Sequence, residues 1–478
     1  MPSLKQKSVK GVAWNLTELI GHQGIRFVLG VMLARLLTPA DFGLVGMITV
    51  FFAVAQVFVS GGFGQAYIQK KHVSDVDANT VFFTNLAVSF GVYGILWLAA
   101  PAIAGFYEQP LLVDLTRVMG LVVIINAFNI IQMAQVTRAV DFKRKTKITL
   151  TATMASGVAG VAAAYYGLGV WSLVIQQMAN RVFTTVGLWM TTRWMPRLQF
   201  SRESFKSLFS FGAWVLAAGI IKTIFDNIYV LTIGKFFPVA ELGFYSKAKQ
   251  FQAMAAHQIA GAVGAVAFPV LSQLQDEKLR LKQGVRKFLT HSLAFTAPIL
   301  VTLMVVAEPF VRLLLTDKWA PMIPYLQLLC IAGFLYPIHL VNVQVLQAQG
   351  RSDLNFRLTV IKNSLRIINI AVMYRFGVAA IIMGEVLLSF FALVINTYYT
   401  RHLIGYGLLE QFADIRQILA VTLVSGLAGY AAIHWLTNLY AKFFLGGTVT
   451  VVLYVLLQYL LNRVFFLEIL KLKENFIK

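Results

Sequence analysis

The stretch FGLVGMITVFFAVAQVFVSGGFGQAYIQ, residues 42–69, contains no aspartate, glutamate, lysine or arginine. A helix needs about 20 predominantly apolar residues to cross the hydrocarbon core of a bilayer, and this stretch exceeds that length. Similar charge-free windows lie at residues 78–107, 148–180, 319–350 and 417–441. The sequence therefore predicts a helical protein embedded in a membrane.

The composition supports this class of protein. The 478-residue chain is 58% hydrophobic and 13% charged, with a mean hydropathy of +0.72, whereas soluble domains carry about a quarter charged residues. Its one cysteine, Cys330, excludes an internal disulfide. No group of cysteine, histidine and carboxylate side chains has the spacing of metal ligands, so we expect no metal site and no cofactor. The basic start, residues 1–11, is interpreted as part of a retained first helix and not as a cleaved signal peptide.

Polar breaks divide the chain into about 14 predicted transmembrane helices. Lysine and arginine concentrate in alternate loops, such as residues 138–147 and 278–287, and the positive-inside rule then places both termini in the cytoplasm. The net charge of +21 is explained by this topology, so we expect no nucleic-acid partner. The predicted spans are residues 11–36, 40–66, 78–104, 111–137, 146–166, 169–192, 205–235, 240–268, 287–314, 322–348, 355–375, 377–400, 415–437 and 443–466.

The predicted loops on the outer side are all short. A membrane-embedded transferase, which is one class of function to consider, would need a sizeable outer loop that carries a paired acid and base. No such loop or residue pair occurs in the sequence. We therefore expect that the protein is not an enzyme.

Two motifs recur at an offset of 200 residues. ARLLTPADFG, residues 34–43, matches GKFFPVAELG, residues 234–243, and the Ala-Trp pair at 13–14 returns at 213–214. Each repeat spans about six helices, and an even number of crossings gives both repeats the same orientation in the membrane. The sequence thus predicts an all-α integral membrane fold with two six-helix lobes in parallel repeat around a central cavity. The predicted divisions are an N-terminal lobe in residues 1–200, a C-terminal lobe in 201–402, and helices 13 and 14 with a cytoplasmic tail in 403–478.

Four motifs resemble the Wzx-type polysaccharide exporters, which belong to the multidrug/oligosaccharidyl-lipid/polysaccharide exporter superfamily. They are SVKGVAWN (8–15), RLLTPADFG (35–43), FGAWV (211–215) and TDKWAPMIPYLQLLCIAG (316–333), and the last is most similar to the colanic-acid exporter branch. The resemblance implies a flippase in the bacterial inner membrane that moves undecaprenyl-diphosphate-linked oligosaccharide repeat units for surface polysaccharide biosynthesis. It also implies a cationic cavity and export by alternating access, driven by an ion gradient.

Three ionisable side chains interrupt the first predicted helix. In ELIGHQGIR, residues 18–26, Glu18, His22 and Arg26 are spaced by four, which places them on one helix face. A charge at the bilayer centre costs about 2.5–3.5 kcal/mol on insertion scales, so this face is expected to meet protein or water. The offset of 200 aligns His22 with Lys222 and Arg26 with Asp226, so the second half carries a matching pair.

Two interpretations of these charges remain open at the level of sequence. In the first, Arg26, His22 and Lys222 bind the substrate pyrophosphate, because a guanidinium group matches phosphate oxygens bidentately, while Glu18 and Asp226 couple transport to a proton or sodium ion. In the second, the charges neutralise one another within each lobe. Secondary cavity candidates are Lys247, Lys249 and Arg181, although a structural role within a lobe is favoured for Arg181, as it is for Arg366 and Glu385.

The alternative function is a cation-coupled exporter of small amphipathic molecules, from the drug-extruding branch of the same superfamily. Helices 13 and 14 argue against it, because that branch typically lacks them. The expected partners are the lipid-linked oligosaccharide, membrane lipid and the coupling ion, with a polysaccharide polymerase as a further candidate. We expect the protein to act as a monomer.

The loop charges make the topology testable. A reporter enzyme that is active only outside the cytoplasm should be active when fused at Glu108 or Lys318, and silent when fused at Lys145 or Arg280, because cytoplasmic loops carry the excess of lysine and arginine. Reporter activity normalised to fusion protein in the membrane is the measurement. The opposite pattern would show that the predicted orientation is wrong.

Overall fold

The structure is a computed structural model that describes residues 21–60, 63–70, 73–139, 141–192 and 194–462. Within these ranges the chain is helical and contains no β-strand. Residues 21–36 form α1. The helices that follow are α2 (Pro39–Ser60), α3 (Phe63–Gln69), α4 (Asp75–Tyr107), α5 (Leu112–Ala127), α6 (Ile130–Arg138), α7 (Phe142–Tyr165), α8 (Trp171–Thr191), α9 (Arg202–Asp226), α10 (Ile228–Phe236), α11 (Val239–Gln273), α12 (Lys278–Val305), α13 (Ala307–Leu315), α14 (Ile323–Ala348), α15 (Ser352–Met373), α16 (Val378–Ile404), α17 (Leu408–His434) and α18 (Leu439–Leu461), with short 3₁₀ turns at Asp317–Met322 and Tyr374–Phe376.

Each predicted span overlaps one of these helices or a consecutive pair of them. Among the described residues, eight helices are long and apolar enough to cross a membrane, or up to ten spans if each of two bent pairs is counted as one. The all-α membrane fold is therefore confirmed. The number of 14 crossings and the arrangement in two lobes stay predictions, as do the divisions at residues 200 and 402.

Two spans that the sequence predicts as continuous are bent. The chain turns by 42° between α5 and α6, and by 45° between the end of α9 and α10. At the second break the Asn227 side chain donates a 2.8 Å hydrogen bond to the Thr223 carbonyl, and its backbone N–H bonds instead to Ile224 O. A side chain that enters the backbone hydrogen-bond ladder in this way is a recognised cause of helix kinks.

The described chain folds into two compact units, Met1–Gly243 and Phe244–Lys478. In the N-terminal unit, α1 packs closely on α7. A Cβ atom at Gly157 would lie 2.0 Å from Leu29 Cδ1, and one at Gly21 would lie 3.3 Å from Leu150 Cδ2. Small residues at such crossings let helix backbones approach closely in membrane proteins. The crossing fixes the rotation of α1 about its own axis.

Buried amides join three helices of the C-terminal unit. Asn342 on α14 donates to Gln411 Oε1 at 3.0 Å, and Gln411 on α17 donates back to Asn342 Oδ1 at 2.9 Å. Thr400 on α16 donates to the same Asn342 oxygen at 2.7 Å. Because buried polar groups are stable in an apolar interior only when they are hydrogen-bonded, this network links α14, α16 and α17 in one arrangement.

A second polar contact lies next to this network, in the turn between α16 and α17. The Tyr406 hydroxyl donates a 2.7 Å hydrogen bond to Asp414, and Asp414 pairs with Arg286 of α12 at 2.5 Å. Burial raises the pKa of the Tyr406 hydroxyl above its ordinary value, and the hydrogen bond to Asp414 raises it further. Tyr406 therefore remains the proton donor of this bond throughout the physiological pH range.

The repeated motif makes a reciprocal contact within the N-terminal unit. A Cβ atom at Gly43 would lie 2.0 Å from the Val239 carbonyl oxygen, and one at Gly243 would lie 1.9 Å from the Pro39 carbonyl oxygen. The partners are exchanged at the sequence offset of 200, which is the signature of a two-fold relation between two copies of one motif. Glycine is required at both positions because the opposing atom belongs to the backbone and cannot move aside.

We expect Gly43→Ala and Gly243→Ala each to destabilise the protein by about 1–3 kcal/mol, which is the usual cost of overpacking a close contact. The measurement is the thermal unfolding midpoint of the purified protein in detergent. Gly94→Ala in α4 is the matched control, because nothing lies within 4 Å of its added Cβ and alanine is the better helix former. Equal midpoints for Gly43→Ala and Gly94→Ala would show that the reciprocal contact does not constrain the fold.

Candidate functional site

The predicted site begins on α1, where the structure describes His22 and Arg26. The glycine crossing with α7 occupies the face of α1 that carries Gly21 and Leu29. Arg26 follows His22 by four residues and precedes Leu29 by three, so the two ionisable side chains lie beside this crossing, with His22 half-buried and Arg26 exposed. Glu18, the third ionisable residue of ELIGHQGIR, lies outside the described residues.

Arg26 lies near a second guanidinium group. It is within electrostatic range of Arg181 on α8, a helix that packs along α7 through Gly187 and Ile148. Arg181 is itself exposed. Two guanidinium groups that approach each other repel unless an anion or water lies between them.

Helix α9 carries the other predicted pair, Lys222 and Asp226. Both side chains are exposed, although their spacing of four places them on one helix face. Among the described residues, no ion pair within 4 Å joins Asp226 to Lys222 or to Arg26. Asp226 is the last residue of α9, directly before the bend at Asn227. The ion pair between Lys222 and Asp226, which the second interpretation of the sequence requires, is thus not found among the described residues.

The secondary candidates on α11 differ in their environments. Lys247 is buried, with 4% of its surface exposed, and its ammonium group bonds to Gln250 Oε1 at 3.2 Å. Lys249 is half-buried and donates to the Tyr245 hydroxyl at 3.0 Å, with its ammonium 5.3 Å from the ring centroid. Within the C-terminal unit, Lys249 is therefore the more accessible of the two.

A group of charged side chains lies near Tyr245, and one of them, Lys362, is not among the residues predicted from the sequence. Tyr245 is within electrostatic range of Glu385 on α16 and Arg366 on α15, and Arg366 is in turn within range of Lys362. The carboxylate oxygen Oε2 of Glu385 is buried and has no hydrogen-bond partner among the described residues. Lys362 and Arg366 are spaced by four on one helix, the same signal that identified His22 and Arg26.

Each unit thus carries cationic side chains on its described helices: Arg26, Arg181 and Lys222 are exposed in the N-terminal unit. In the C-terminal unit Lys249, Lys362 and Arg366 accompany one carboxylate, Glu385. Within the described residues no cluster of three or more histidine, cysteine or carboxylate side chains has the geometry to hold a metal ion. The chemistry that both groups offer is the binding of anions through ammonium and guanidinium hydrogen bonds.

Comparison with protein families gives an independent indication of the family to which the chain belongs. The model of a family described as "Polysaccharide biosynthesis protein" matches residues 32–324. The teichuronic acid biosynthesis protein TuaB of Bacillus subtilis (strain 168) is 26% identical over 74% of each chain. The lipopolysaccharide biosynthesis protein WzxC of Escherichia coli (strain K12) is 26% identical over 76% of this chain and 74% of its own. The succinoglycan biosynthesis transport protein ExoT of Rhizobium meliloti (strain 1021) is 25% identical over 70% of this chain and 68% of its own.

Solved structures show the same fold at much lower sequence identity. The inward closed conformation of the lipid II flippase MurJ matches with a TM-score of 0.76 at 12% identity, and covers 95% of this chain and 100% of that chain. An inward-facing multidrug resistance transporter of the MATE family matches with a TM-score of 0.63 at 15% identity, over 81% of this chain and 98% of that chain. The resemblance to this exporter superfamily, which the sequence motifs predict, is confirmed.

Proposed function

The chain belongs to the polysaccharide biosynthesis protein family, and we propose that it is a flippase for undecaprenyl-diphosphate-linked oligosaccharide repeat units in the bacterial inner membrane. It serves surface polysaccharide biosynthesis and works by alternating access, with transport coupled to an ion gradient. The relatives that share about a quarter of their residues with this chain carry names from the biosynthesis of teichuronic acid, lipopolysaccharide and succinoglycan. Both termini are cytoplasmic in this proposal, as the loop charges predict.

The observation that carries the proposal is the exposure of charged side chains in the membrane-spanning part of the N-terminal unit. Arg26 and Lys222 are exposed and lack an ion-pair partner among the described residues. Each would cost about 2.5–3.5 kcal/mol if it faced lipid, so we infer that they face a hydrated space. A substrate with a negatively charged diphosphate group is the ligand that such a space would attract.

The chemical roles follow from the side-chain types. Arg26 presents a planar guanidinium fork that can hold two phosphate oxygens at once, while Lys222 acts as a point charge. His22 is the third proposed ligand and can donate a hydrogen bond from its ring N–H to a phosphate oxygen. Arg181, within electrostatic range of Arg26, extends this cationic surface of the N-terminal unit. The C-terminal unit has its own cations, among them Lys249 and Lys362.

The coupling ion is proposed to act through Glu18 and Asp226. Asp226 is exposed at the end of α9 and makes no ion pair among the described residues, so a proton or a sodium ion can reach its carboxylate. Binding of either ion cancels one negative charge next to the proposed diphosphate ligands. That change alters the local affinity for the anionic substrate, which links ion binding to substrate binding.

The second candidate function is the export of small amphipathic molecules, and the match of the fold to a MATE family transporter favours it. Helices α17 and α18 pack into the C-terminal unit through contacts such as the 2.9 Å hydrogen bond from Tyr454 to the Ala294 carbonyl. They are the two additional helices that the drug-extruding branch typically lacks. The flippase is therefore the proposed function, with a single chain as the working unit and a polysaccharide polymerase as a candidate partner.

If Arg26 binds the diphosphate, Arg26→Ala should abolish export while the protein remains folded and inserted, and Arg26→Lys should keep part of the activity, because lysine retains the charge and loses the fork. The measurement is export of the lipid-linked oligosaccharide in cells with matched membrane levels of each variant. Arg181→Ala and Lys249→Ala in the same assay test the secondary positions.

Arg117→Ala is the matched control for the loss of an arginine from a helix of the same unit. Its guanidinium lies 4.5 Å from the centroid of the Trp97 ring, so its loss should affect stability more than export. Combining Arg26→Ala with Glu18→Ala or Asp226→Ala separates a role in substrate binding from a role in balancing charge. If Arg26 only balances a carboxylate, removal of both partners should restore the protein, because replacing a whole buried ion pair often leaves stability unchanged. Restored export in either double variant would reject Arg26 as a substrate ligand.

For coupling, at least one of Glu18→Gln and Asp226→Asn should remove the dependence of flipping on the ion gradient, because the neutral side chain cannot change its charge. The measurement is flipping in vesicles with and without an imposed proton or sodium gradient. Asp114→Asn, which replaces an exposed carboxylate in the first turn of α5, should leave the gradient dependence unchanged. Full gradient dependence in both test variants would place the coupling site elsewhere.

A further inference from the structure

An apolar pocket of about 500 Å³ lies in the N-terminal unit beside the bend between α5 and α6. Pockets of this size are typical of sites that bind small molecules. Nothing in the proposed transport of oligosaccharide involves it. It is lined by Phe128, Thr185, Val186, Trp189, Met190 and Met195.

The helix bend forms one side of the pocket, and hydrogen bonds around the bend satisfy the polar groups there. Trp189 Nε1 donates a 2.8 Å hydrogen bond to the Phe128 carbonyl, which is the residue at the bend. Asn129 donates to the Thr185 hydroxyl at 3.1 Å. These bonds hold α8 to the broken segment and satisfy the backbone and side-chain groups that the bend releases, so the surface that remains is apolar.

The open side of the pocket carries exposed apolar side chains. Val186 and Met190 lie one turn apart on α8 with exposed fractions of 48% and 81%, and Met195, just beyond the helix, is 64% exposed. The sequence predicts a membrane span at residues 169–192, and apolar side chains exposed near the end of such a span are expected to face the hydrocarbon of one leaflet. The pocket is thus open to lipid and not to the interior of the unit.

Cationic side chains lie at the rim of the pocket. The guanidinium of Arg144 donates a 3.1 Å hydrogen bond to the carbonyl of Thr191, the residue that follows Met190 and ends α8. Lys147 is exposed on α7, and its spacing of three from Arg144 puts both on one face. On the same face, deeper in the membrane, Met154 and Val158 are exposed and apolar.

We propose that this pocket binds an anionic phospholipid of the cytoplasmic leaflet. One acyl chain lies against Val186 and Met190 in the pocket, and the phosphate group binds Arg144 and Lys147. The arrangement combines an apolar slot at hydrocarbon depth with cations at the membrane surface, which is how basic sites on the cytoplasmic side of membrane helices bind acidic lipid headgroups. The proposal does not depend on which substrate the protein transports.

The experiment titrates the purified full-length protein in detergent with phosphatidylglycerol that carries brominated acyl chains, and measures quenching of tryptophan fluorescence. Phosphatidylcholine with the same chains is the comparison lipid. We expect phosphatidylglycerol to quench at about tenfold lower concentration, because two cations near the surface each favour the anionic lipid. In Trp189→Phe, the difference in quenching between the two lipids should disappear, because Trp189 is the tryptophan that lines the pocket.

The variant Arg144→Gln with Lys147→Gln should remove the preference for phosphatidylglycerol. Arg144 forms an ion pair with Asp141 at 3.2 Å. Arg280→Gln with Lys287→Gln is the matched control, since Arg280 likewise pairs with an acidic residue three positions earlier, Glu277, at 3.0 Å. This control should retain the preference. Equal loss in both double variants would show that net charge, and not this site, attracts the lipid.

Native mass spectrometry of the unmodified protein with unlabelled lipids provides a second measurement that needs no substitution at Trp189. We expect one retained phosphatidylglycerol, which is lost in Arg144→Gln with Lys147→Gln. Equal retention of the two lipids, or quenching that is unchanged in Trp189→Phe, would overturn the proposal. Displacement of bound phosphatidylglycerol by a polyprenyl diphosphate at lower concentration would identify the carrier lipid as the occupant and would also overturn it.

Discussion

The hydrocarbon core of a bilayer offers no water to a charge or to a free backbone group, and this constraint governs the whole molecule. It explains why the described chain is helical throughout, since a helix satisfies its own backbone groups. It also explains the exchange of hydrogen bonds between Asn342 and Gln411 in the C-terminal unit. Two amides that satisfy each other can be buried where neither could be buried alone.

The same constraint makes charged side chains without an ion-pair partner informative about function. Lys235 and Glu108 pair at 2.9 Å at the ends of their helices, where an ion pair needs no further explanation. Arg26, Lys222 and Asp226 are exposed on helices that the sequence predicts to span the membrane and have no such pair among the described residues. Intramembrane ionisable residues of this kind mark substrate and ion pathways. In a member of a polysaccharide biosynthesis family, a diphosphate-linked oligosaccharide is the anionic substrate that we propose for them.

The sequence predicts the fold well because hydropathy and charge are one-dimensional signals. The charge-free window at 42–69 becomes α2 and α3, and the repeat at 34–43 and 234–243 predicts the positions of the two glycines in reciprocal contact. The bends were not predicted, because Asn227 acts through a hydrogen bond that only the folded helix reveals. For the site, helical spacing identified His22 and Arg26. It did not reveal that Lys222 and Asp226 remain unpaired four residues apart, since side-chain direction depends on neighbouring helices.

The central claim is that the cationic surface recognises a lipid-linked diphosphate. The most direct measurement is transport by the purified protein in vesicles that contain one oligosaccharide on two carriers, a polyprenyl diphosphate and an uncharged polyprenyl ether, under an imposed ion gradient. The account predicts that the diphosphate-linked form crosses the membrane and that the uncharged form does not, because only the diphosphate can hydrogen-bond to a guanidinium fork as an anion. Equal transport of both forms would contradict it. Transport of a small amphipathic cation by a protein that moves neither form would contradict it as well.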